Sequence, residues 1–196
     1  MTKPLIVLLT AALALSVGVP AIAQQTRAVP ESAAEAASPW EKLFPSGLIV
    51  AGEKASKANK NHFRELEDKF VGVYFSAKWC GFCHYFTPQL AKFQKKHRAR
   101  FAVVFSSSDK SESDMIAYAK QYKMNKQKWL ALPLGSRPAV SGGGGLPTLI
   151  VFAPDGTELT RLSGASKAMQ SGDDDPRLFR DLAEKMSAWE EAHAAE

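Results

Sequence analysis

Runs of β-branched and aromatic residues predict the strands of this chain. The two most apolar runs, 71–76 and 101–105, are typical of strands that are buried on both faces. Pro154-Asp155-Gly156 favours a hairpin between the last two runs. In all, five strands are predicted, at 48–50, 71–76, 101–105, 148–152 and 157–162.

Apolar residues spaced three or four positions apart predict the helices. Phe82, Phe86, Leu90 and Phe93 indicate a helix over 81–97, with a kink at Pro88 because proline removes one backbone donor. Further helices are predicted over 54–70, over 111–122 and from Pro176, capped by Asp175, through Trp189. Strands and helices in this order favour an α/β fold: a mixed central sheet with helices on both faces.

The 196 residues, 45% of them hydrophobic, suffice for one domain with appendages. Residues 1–23 are typical of a signal peptide, with Lys3, an apolar stretch at 5–19 and a small-residue cleavage site. The Ala-, Ser-, Pro- and Glu-rich segment 24–39 is predicted to be a flexible leader, so the folded domain is expected at 40–196. We therefore expect a periplasmic protein without a membrane span after signal cleavage.

The net charge of +5 at pH 7 is mild, and its basic residues are scattered. The densest basic group, 92–100, falls at the end of a predicted helix, where cations suit the negative end of the helix dipole. Because stacking aromatics are not interleaved with it, we do not expect nucleic-acid binding. The protein is expected to be a monomer.

Cys80 and Cys83 are the only two cysteines, and two residues separate them. Structural disulfides stabilise by closing long loops, whereas this pair closes almost nothing. The spacing therefore predicts a disulfide that forms and breaks during function. Cys80 precedes the predicted helix, whose N–H groups and dipole lower the pKa of its thiol, so Cys80 is predicted to attack and Cys83 to resolve the mixed disulfide.

Three neighbours of the cysteines are predicted to support this chemistry. Gly81 is expected to let the chain turn tightly into the helix, and Phe82 to cover the second sulfur without adding charge. Lys78 is expected to stabilise the thiolate slightly, since surface charges interact weakly. Apart from the redox-active disulfide no cofactor is expected. A zinc site is not predicted, because Cys80, Cys83 and His84 leave its fourth ligand unidentified.

Several spaced segments resemble the nucleoredoxin and tryparedoxin branch of the thioredoxin superfamily. They are Tyr-Phe-Ser-Ala-Lys-Trp-Cys at 74–80, Phe-Thr-Pro-Gln-Leu at 86–90, and the segments 103–109, 128–133 and 145–152. The resemblance spans about residues 44–165 and implies a thioredoxin fold. It also implies that Pro147 is cis and lies against the cysteine pair, that the Leu146 backbone pairs with an extended substrate, and that Trp79 forms part of the substrate surface.

The chain also departs from this superfamily. Thioredoxins carry a buried aspartate six residues before the first cysteine, where this chain has Tyr74, so the proton acceptor for Cys83 is not identified. Asp109 is a substitute candidate. Gly81-Phe82 replaces the proline-containing pair common among nucleoredoxins, which leaves open whether disulfides are reduced, formed or exchanged.

Together these features predict an exported thiol–disulfide oxidoreductase that acts on disulfide-bearing protein substrates and is served by a redox partner protein. Two alternatives stay open. Cys80-Gly81-Phe82-Cys83-His84 also fits the c-type haem attachment pattern, with His84 as axial ligand, although that pattern is expected in a small helical protein. The second alternative is a thioredoxin-fold binding module without catalysis. Outside the haem alternative, His84 is expected to be an exposed residue of the first helical turn.

Overall fold

A computed structural model describes residues 38–143, 145–163 and 176–194. The predicted signal peptide, most of the predicted leader and the predicted cap Asp175 lie outside these residues. The described fold starts with Ser38, whose side chain caps a short helix that begins at Pro39. None of the helices within the described ranges is long and apolar enough to span a membrane.

A six-stranded sheet in the order β1-β4-β3-β2-β5-β6 forms the centre of the fold. Its strands are β1 Ile49–Val50, β2 Phe70–Ser76, β3 Phe101–Ser107, β4 Leu130–Ala131, β5 Thr148–Phe152 and β6 Glu158–Ser163. The most apolar strand, β2, pairs in parallel with β3 and antiparallel with β5. The mixed sheet predicted from the sequence is therefore confirmed.

Helices cover both faces of the sheet, as predicted. In the described ranges the α-helices are α1 Pro39–Leu43, α2 Gly81–His97, α3 Glu112–Gln121 and α4 Pro176–His193. Residues of α2, α3 and α4 form one buried cluster with Phe70 and Tyr74 of β2. Val71 and Val73 of β2 point to the other face, where they join Trp40 of α1 in a second cluster.

The helix predicted over 54–70 is wrong. The segment instead contains two short 3₁₀ turns, Ala55–Lys57 and Lys60–Glu65. Between them the extended backbone of Asn59 exchanges two hydrogen bonds with that of Leu48, at 2.8 and 3.3 Å. A residue in such a bridge cannot also be helical, so this long-range pairing overrides the local apolar spacing.

The strand β4 lies in the segment 123–145, for which the sequence pattern predicts neither a helix nor a strand. Its two residues pair in parallel with β3 and antiparallel with β1. Two residues are too few to show strand periodicity, and this explains why the pattern missed it.

The pairing of β2 with β5 brings the cysteine pair and Pro147 to the same end of these two strands. Cys80 follows the carboxyl end of β2 by a short turn and leads into α2. Because β5 runs antiparallel to β2, with Thr148 opposite Phe75, Pro147 enters the sheet beside the end of β2. The Leu146–Pro147 peptide bond is cis, as the resemblance implies.

Candidate active site around Cys80 and Cys83

The two cysteines form a disulfide at the N-terminus of α2. Cys80 is the N-cap residue, and its Sγ accepts a hydrogen bond from the Cys83 N–H at 3.2 Å. Cys80 is 6% exposed and Cys83 is fully buried. A thiolate at Cys80 would keep this donor and the positive end of the helix dipole, both of which stabilise the charged form.

The turn that carries Cys80 is anchored through Lys78. Its N–H donates to Asp109 Oδ1 at 2.9 Å, and its ammonium bonds Asp114 Oδ1 at 2.7 Å. Trp79 extends from the same turn and donates from Nε1 to the Ser108 carbonyl at 3.3 Å. The loop before α3 and the first turn of α3 therefore hold the turn from the outside.

Asp114 pairs with the Lys78 ammonium, whose positive charge is expected to stabilise the Cys80 thiolate. The hydrogen bond to Asp114 raises the pKa of Lys78 above its ordinary value. Hydrogen bonds from Lys78 and then Ser111 lower the pKa of Asp114. Because Asp114 partly neutralises the ammonium and both side chains are exposed, any effect of Lys78 on Cys80 is small.

His84 is half-buried, so the expectation of an exposed residue is wrong. Its Nε2 lies 2.7 Å from the Lys78 carbonyl oxygen, and its Nδ1 lies 2.7 Å from the Tyr122 hydroxyl. The ring packs edge-on against Tyr118. Since both ring nitrogens are engaged in protein hydrogen bonds, this arrangement disfavours His84 as an axial haem ligand.

Exposed aromatic side chains flank the cysteine pair along the chain. In the part of the chain that the structure describes, the large hydrophobic residues that are exposed are Trp79 at 65%, Phe82 at 44% and Tyr85 at 58%. We call these three residues the aromatic rim. Phe82 thus directs much of its ring to solvent, which differs from the cover for Cys83 that the sequence predicts. Sequence reasoning missed Tyr85, although its spacing of three from Phe82 was a signal.

A chain of buried hydroxyl groups lies behind Cys83. Thr87 Oγ1 donates to the Cys83 carbonyl at 2.7 Å, and it lies 2.8 Å from the Tyr74 hydroxyl and 2.6 Å from the Tyr118 hydroxyl. Ser76 donates to Tyr118 at 3.1 Å. Since Thr87 has one hydrogen, both phenols must donate to it. We call Tyr74, Ser76, Thr87 and Tyr118 the hydroxyl network.

Tyr74 therefore does not replace the aspartate of thioredoxins as a base. Its hydrogen is committed to Thr87, and burial raises its pKa well above the ordinary value. Burial also raises the pKa of Tyr118. Both carboxylate oxygens of Asp109 accept hydrogen bonds, one from the Lys78 N–H and one from the Ser107 hydroxyl. These bonds do not involve Cys83, and the role of Asp109 as its proton acceptor stays a prediction.

Gly81 is the first residue of α2, and its conformation does not require glycine. Its φ is not positive, and a Cβ added there would meet nothing within 4 Å. The helical conformation of Gly81 therefore gives no support to the expectation that glycine lets the chain turn tightly into α2.

Two grooves adjoin the disulfide turn. One, of about 560 Å³, is lined by Phe75, Ser108, Arg137 and Leu146 among others, and Leu146 is half-buried against the core. The other, of about 610 Å³, lies between Trp79, Lys78 and the start of α3. Pro147 is buried. The roles of Leu146 and Pro147 toward substrate stay predictions.

Comparisons with known proteins agree with this geometry. Residues 68–158 match a family described as thioredoxin-like. Tryparedoxin of Trypanosoma brucei brucei is 41% identical over 108 residues, which cover 51% of this chain and 72% of tryparedoxin. Nucleoredoxin of Bos taurus is 38% identical over 133 residues, but the match covers only 29% of nucleoredoxin and 63% of this chain.

A solved structure of tryparedoxin from Trypanosoma brucei superposes with a TM-score of 0.50 at 33% identity. The superposition covers 71% of this chain and 93% of that structure. The sequence match and the structural superposition thus point to the same group of proteins. The chain belongs to the thioredoxin superfamily, in its tryparedoxin- and nucleoredoxin-like branch of thiol–disulfide oxidoreductases.

Proposed function

We propose that this protein reduces or exchanges disulfides in protein substrates outside the cytoplasm, with Cys80 as the attacking residue and Cys83 as the resolving residue. The observation that carries the proposal is the position of Cys80. It caps α2, accepts the Cys83 N–H, and lies at the surface side of the pair. A helix N-terminus that also donates a hydrogen bond to sulfur favours the thiolate, which is the form that attacks disulfides.

Exchange proceeds in two steps. The Cys80 thiolate attacks one sulfur of the substrate disulfide, whose S–S bond breaks as the Cys80–substrate bond forms, and the released thiolate takes a proton from water. Cys83 then loses its proton and attacks Cys80 Sγ, which releases the second substrate thiolate and forms the Cys80–Cys83 disulfide. Two electrons pass from the cysteine pair to the substrate. A dithiol donor protein must return them for a further cycle.

The aromatic rim supports a protein as the substrate. Trp79, Phe82 and Tyr85 are exposed apolar side chains close to Cys80 along the chain, and exposed aromatic residues are typical of protein-binding sites. A groove lined by Leu146 lies at the start of β5. An extended segment with a disulfide can pair with the Leu146 backbone while its neighbouring side chains contact the rim.

We propose that the protein is exported to the periplasm. The support comes from the charged start, the apolar stretch at 5–19 and the cleavage site at 21–23. An oxidising compartment keeps such a pair as a disulfide unless a donor reduces it. Fractionation of cells that produce the full chain tests this: the protein is expected in the periplasm without residues 1–23, and retention in the cytoplasm contradicts it.

The central experiment compares the purified mature protein with Cys80→Ser and Cys83→Ser in reduction of insulin disulfides by dithiothreitol. Wild type is expected to accelerate the reaction and Cys80→Ser to be inactive. Reduced Cys83→Ser, mixed with insulin after dithiothreitol is removed, is expected to accumulate a mixed disulfide that non-reducing gel electrophoresis detects. Activity that persists in Cys80→Ser would falsify the assignment of the nucleophile. An inactive wild type would indicate a binding module, and a haem band in its visible spectrum would indicate an electron carrier.

A further inference from the structure

His84 lies directly after Cys83 and connects three parts of the site. Its Nε2 contacts the Lys78 carbonyl in the turn before Cys80, and its Nδ1 contacts the Tyr122 hydroxyl just after α3. A carbonyl oxygen only accepts, so Nε2 carries the hydrogen. In the neutral ring Nδ1 then accepts from Tyr122, which fixes the ring between α3 and the turn.

The Tyr122 hydroxyl has a second potential hydrogen-bond partner, the His84 carbonyl, because of Pro88. Proline lacks an N–H, so the carbonyl of His84 has no donor from position 88 in the helix. Tyr122 Oη lies 3.4 Å from that carbonyl oxygen. The imidazole therefore keeps its donor bond to Lys78 whether it is neutral or protonated, because Tyr122 can turn its hydrogen to the carbonyl.

The contact with Lys78 matters most when the disulfide is open. In the oxidised protein the S–S bond itself ties Cys80 to α2. After reduction that tie is lost, and the bond from His84 to the Lys78 carbonyl is one of the contacts that still join α2 to the turn. We propose that His84 is a positioning residue that stabilises the reduced form more than the oxidised form by holding the turn of Cys80 against α2.

The proposal rests on the proposed redox function, but its consequence is an equilibrium that does not require turnover. Loss of the contact costs the reduced form more free energy than the oxidised form. The balance with glutathione then shifts toward the disulfide, and the reduction potential becomes more negative. A merely structural histidine would destabilise both forms equally and leave this balance unchanged.

The test equilibrates each variant with reduced and oxidised glutathione, traps free thiols by alkylation and measures the fraction of reduced protein. His84→Asn, whose short amide cannot reach Lys78, is expected to favour the disulfide by about threefold to tenfold, the size of one net hydrogen bond. A tenfold change corresponds to about 30 mV for a two-electron couple. His84→Gln, whose amide can donate to the Lys78 carbonyl, is expected to restore most of the wild-type balance.

His62→Asn is the matched control. His62 bonds Glu65 in the 3₁₀ turn that packs on the other face of the sheet, so its replacement is expected to leave the balance unchanged. Tyr122→Phe frees the ring but keeps its Lys78 contact, and a smaller shift in the same direction is expected.

Urea unfolding of both redox forms completes the comparison. We expect His84→Asn to lower the stability of the reduced protein more than that of the oxidised protein. Equal losses in both forms, a shift toward the dithiol, or identical behaviour of the Gln and Asn variants would each overturn the proposal.

If His84→Asn does not fold, His84→Gln and Tyr122→Phe decide the test. A glutathione balance that is unchanged in Tyr122→Phe, or that shifts by threefold to tenfold in His84→Gln, contradicts the proposal. The proposed function can fail independently, because an inactive wild type still has a measurable balance with glutathione.

Discussion

The aromatic rim and the hydroxyl network belong to the same disulfide site and are built in opposite ways. The rim presents Trp79, Phe82 and Tyr85 to solvent, with one hydrogen bond from the Trp79 indole. The network buries its four hydroxyl groups and bonds every one of them. Apolar surface is exposed at the rim, where we propose that a substrate binds, whereas the buried hydroxyl groups of the network are all hydrogen-bonded.

This difference separates two demands on a dithiol site. Attack by Cys80 needs access and a surface that a partner can cover, so the rim is expected to contribute to affinity and little to stability. The chain behind Cys83 must keep one geometry while the disulfide opens and closes, so the network is expected to contribute to stability. Mutations on the two sides should therefore have distinct signatures.

Thr87→Val tests the network and has the largest expected effect. The substitution removes the acceptor shared by the Tyr74 and Tyr118 hydroxyls, so the two buried phenols and Ser76 are left with one acceptor too few for their hydrogens. Unsatisfied buried groups cost about 1–3 kcal/mol each, so we expect a loss of roughly 2–4 kcal/mol in the free energy of unfolding. Urea denaturation of the oxidised protein measures it.

Thr87→Ser is the control for this prediction, because serine keeps the hydroxyl and removes only a methyl group. Its expected loss is about 1 kcal/mol. If the Val and Ser variants unfold at the same urea concentration, the Thr87 hydroxyl does not stabilise the fold, and the hydroxyl network does not have the stabilising role that we expect.

Trp79→Ala tests the rim. The side chain is mostly exposed, so unfolding free energy is expected to change by less than about 1 kcal/mol. The KM for a disulfide-bearing protein is expected to rise about tenfold, since exposed tryptophans are frequent sources of binding energy. A small disulfide such as oxidised glutathione, which cannot cover the rim, serves as the control substrate. Equal losses toward both substrates would show that Trp79 acts on the cysteines rather than on the partner.

The rim and the network differ also in how far the sequence predicts them. The strand β2, the helix α2 and the cysteine pair follow from local patterns, because each element is set by neighbouring residues. Trp79 and Phe82 lie in the same segment and could be named. Thr87 carried a usable signal, since it stands four positions after Cys83 on the same helical face.

The hydroxyl network and the surroundings of His84 depend on contacts between distant parts of the chain. Tyr118 meets Thr87 across 31 positions, and Tyr122 meets His84 across 38, so no local pattern connects them. The wrong helix over 54–70 has the same origin, because the bridge between Leu48 and Asn59 is not visible in local spacing. Pairings of this kind are decided by the assembled sheet and helices.

The Lys78–Asp114 pair, next to the rim, provides the prediction with the smallest effect. The pKa of Asp114 is lowered in the folded protein, mainly by the Lys78 hydrogen bond, so its contribution to stability is present at neutral pH and is lost as pH falls through the lowered pKa. The pKa of Lys78 is raised, so its contribution is lost only as pH rises through that raised value. Asp114→Asn is therefore expected to be slightly less stable than wild type near pH 7.

The difference between Asp114→Asn and wild type should vanish at low pH and shrink in about 1 M salt, because exposed charges are screened. Thermal unfolding at several pH and salt values measures it, and Lys78→Met, alone and combined with Asp114→Asn, isolates the pair. A loss as large as that of Thr87→Val, independent of salt, would contradict the comparison. It would mean that the outer side of the disulfide turn depends on fixed polar contacts as much as the hydroxyl network does.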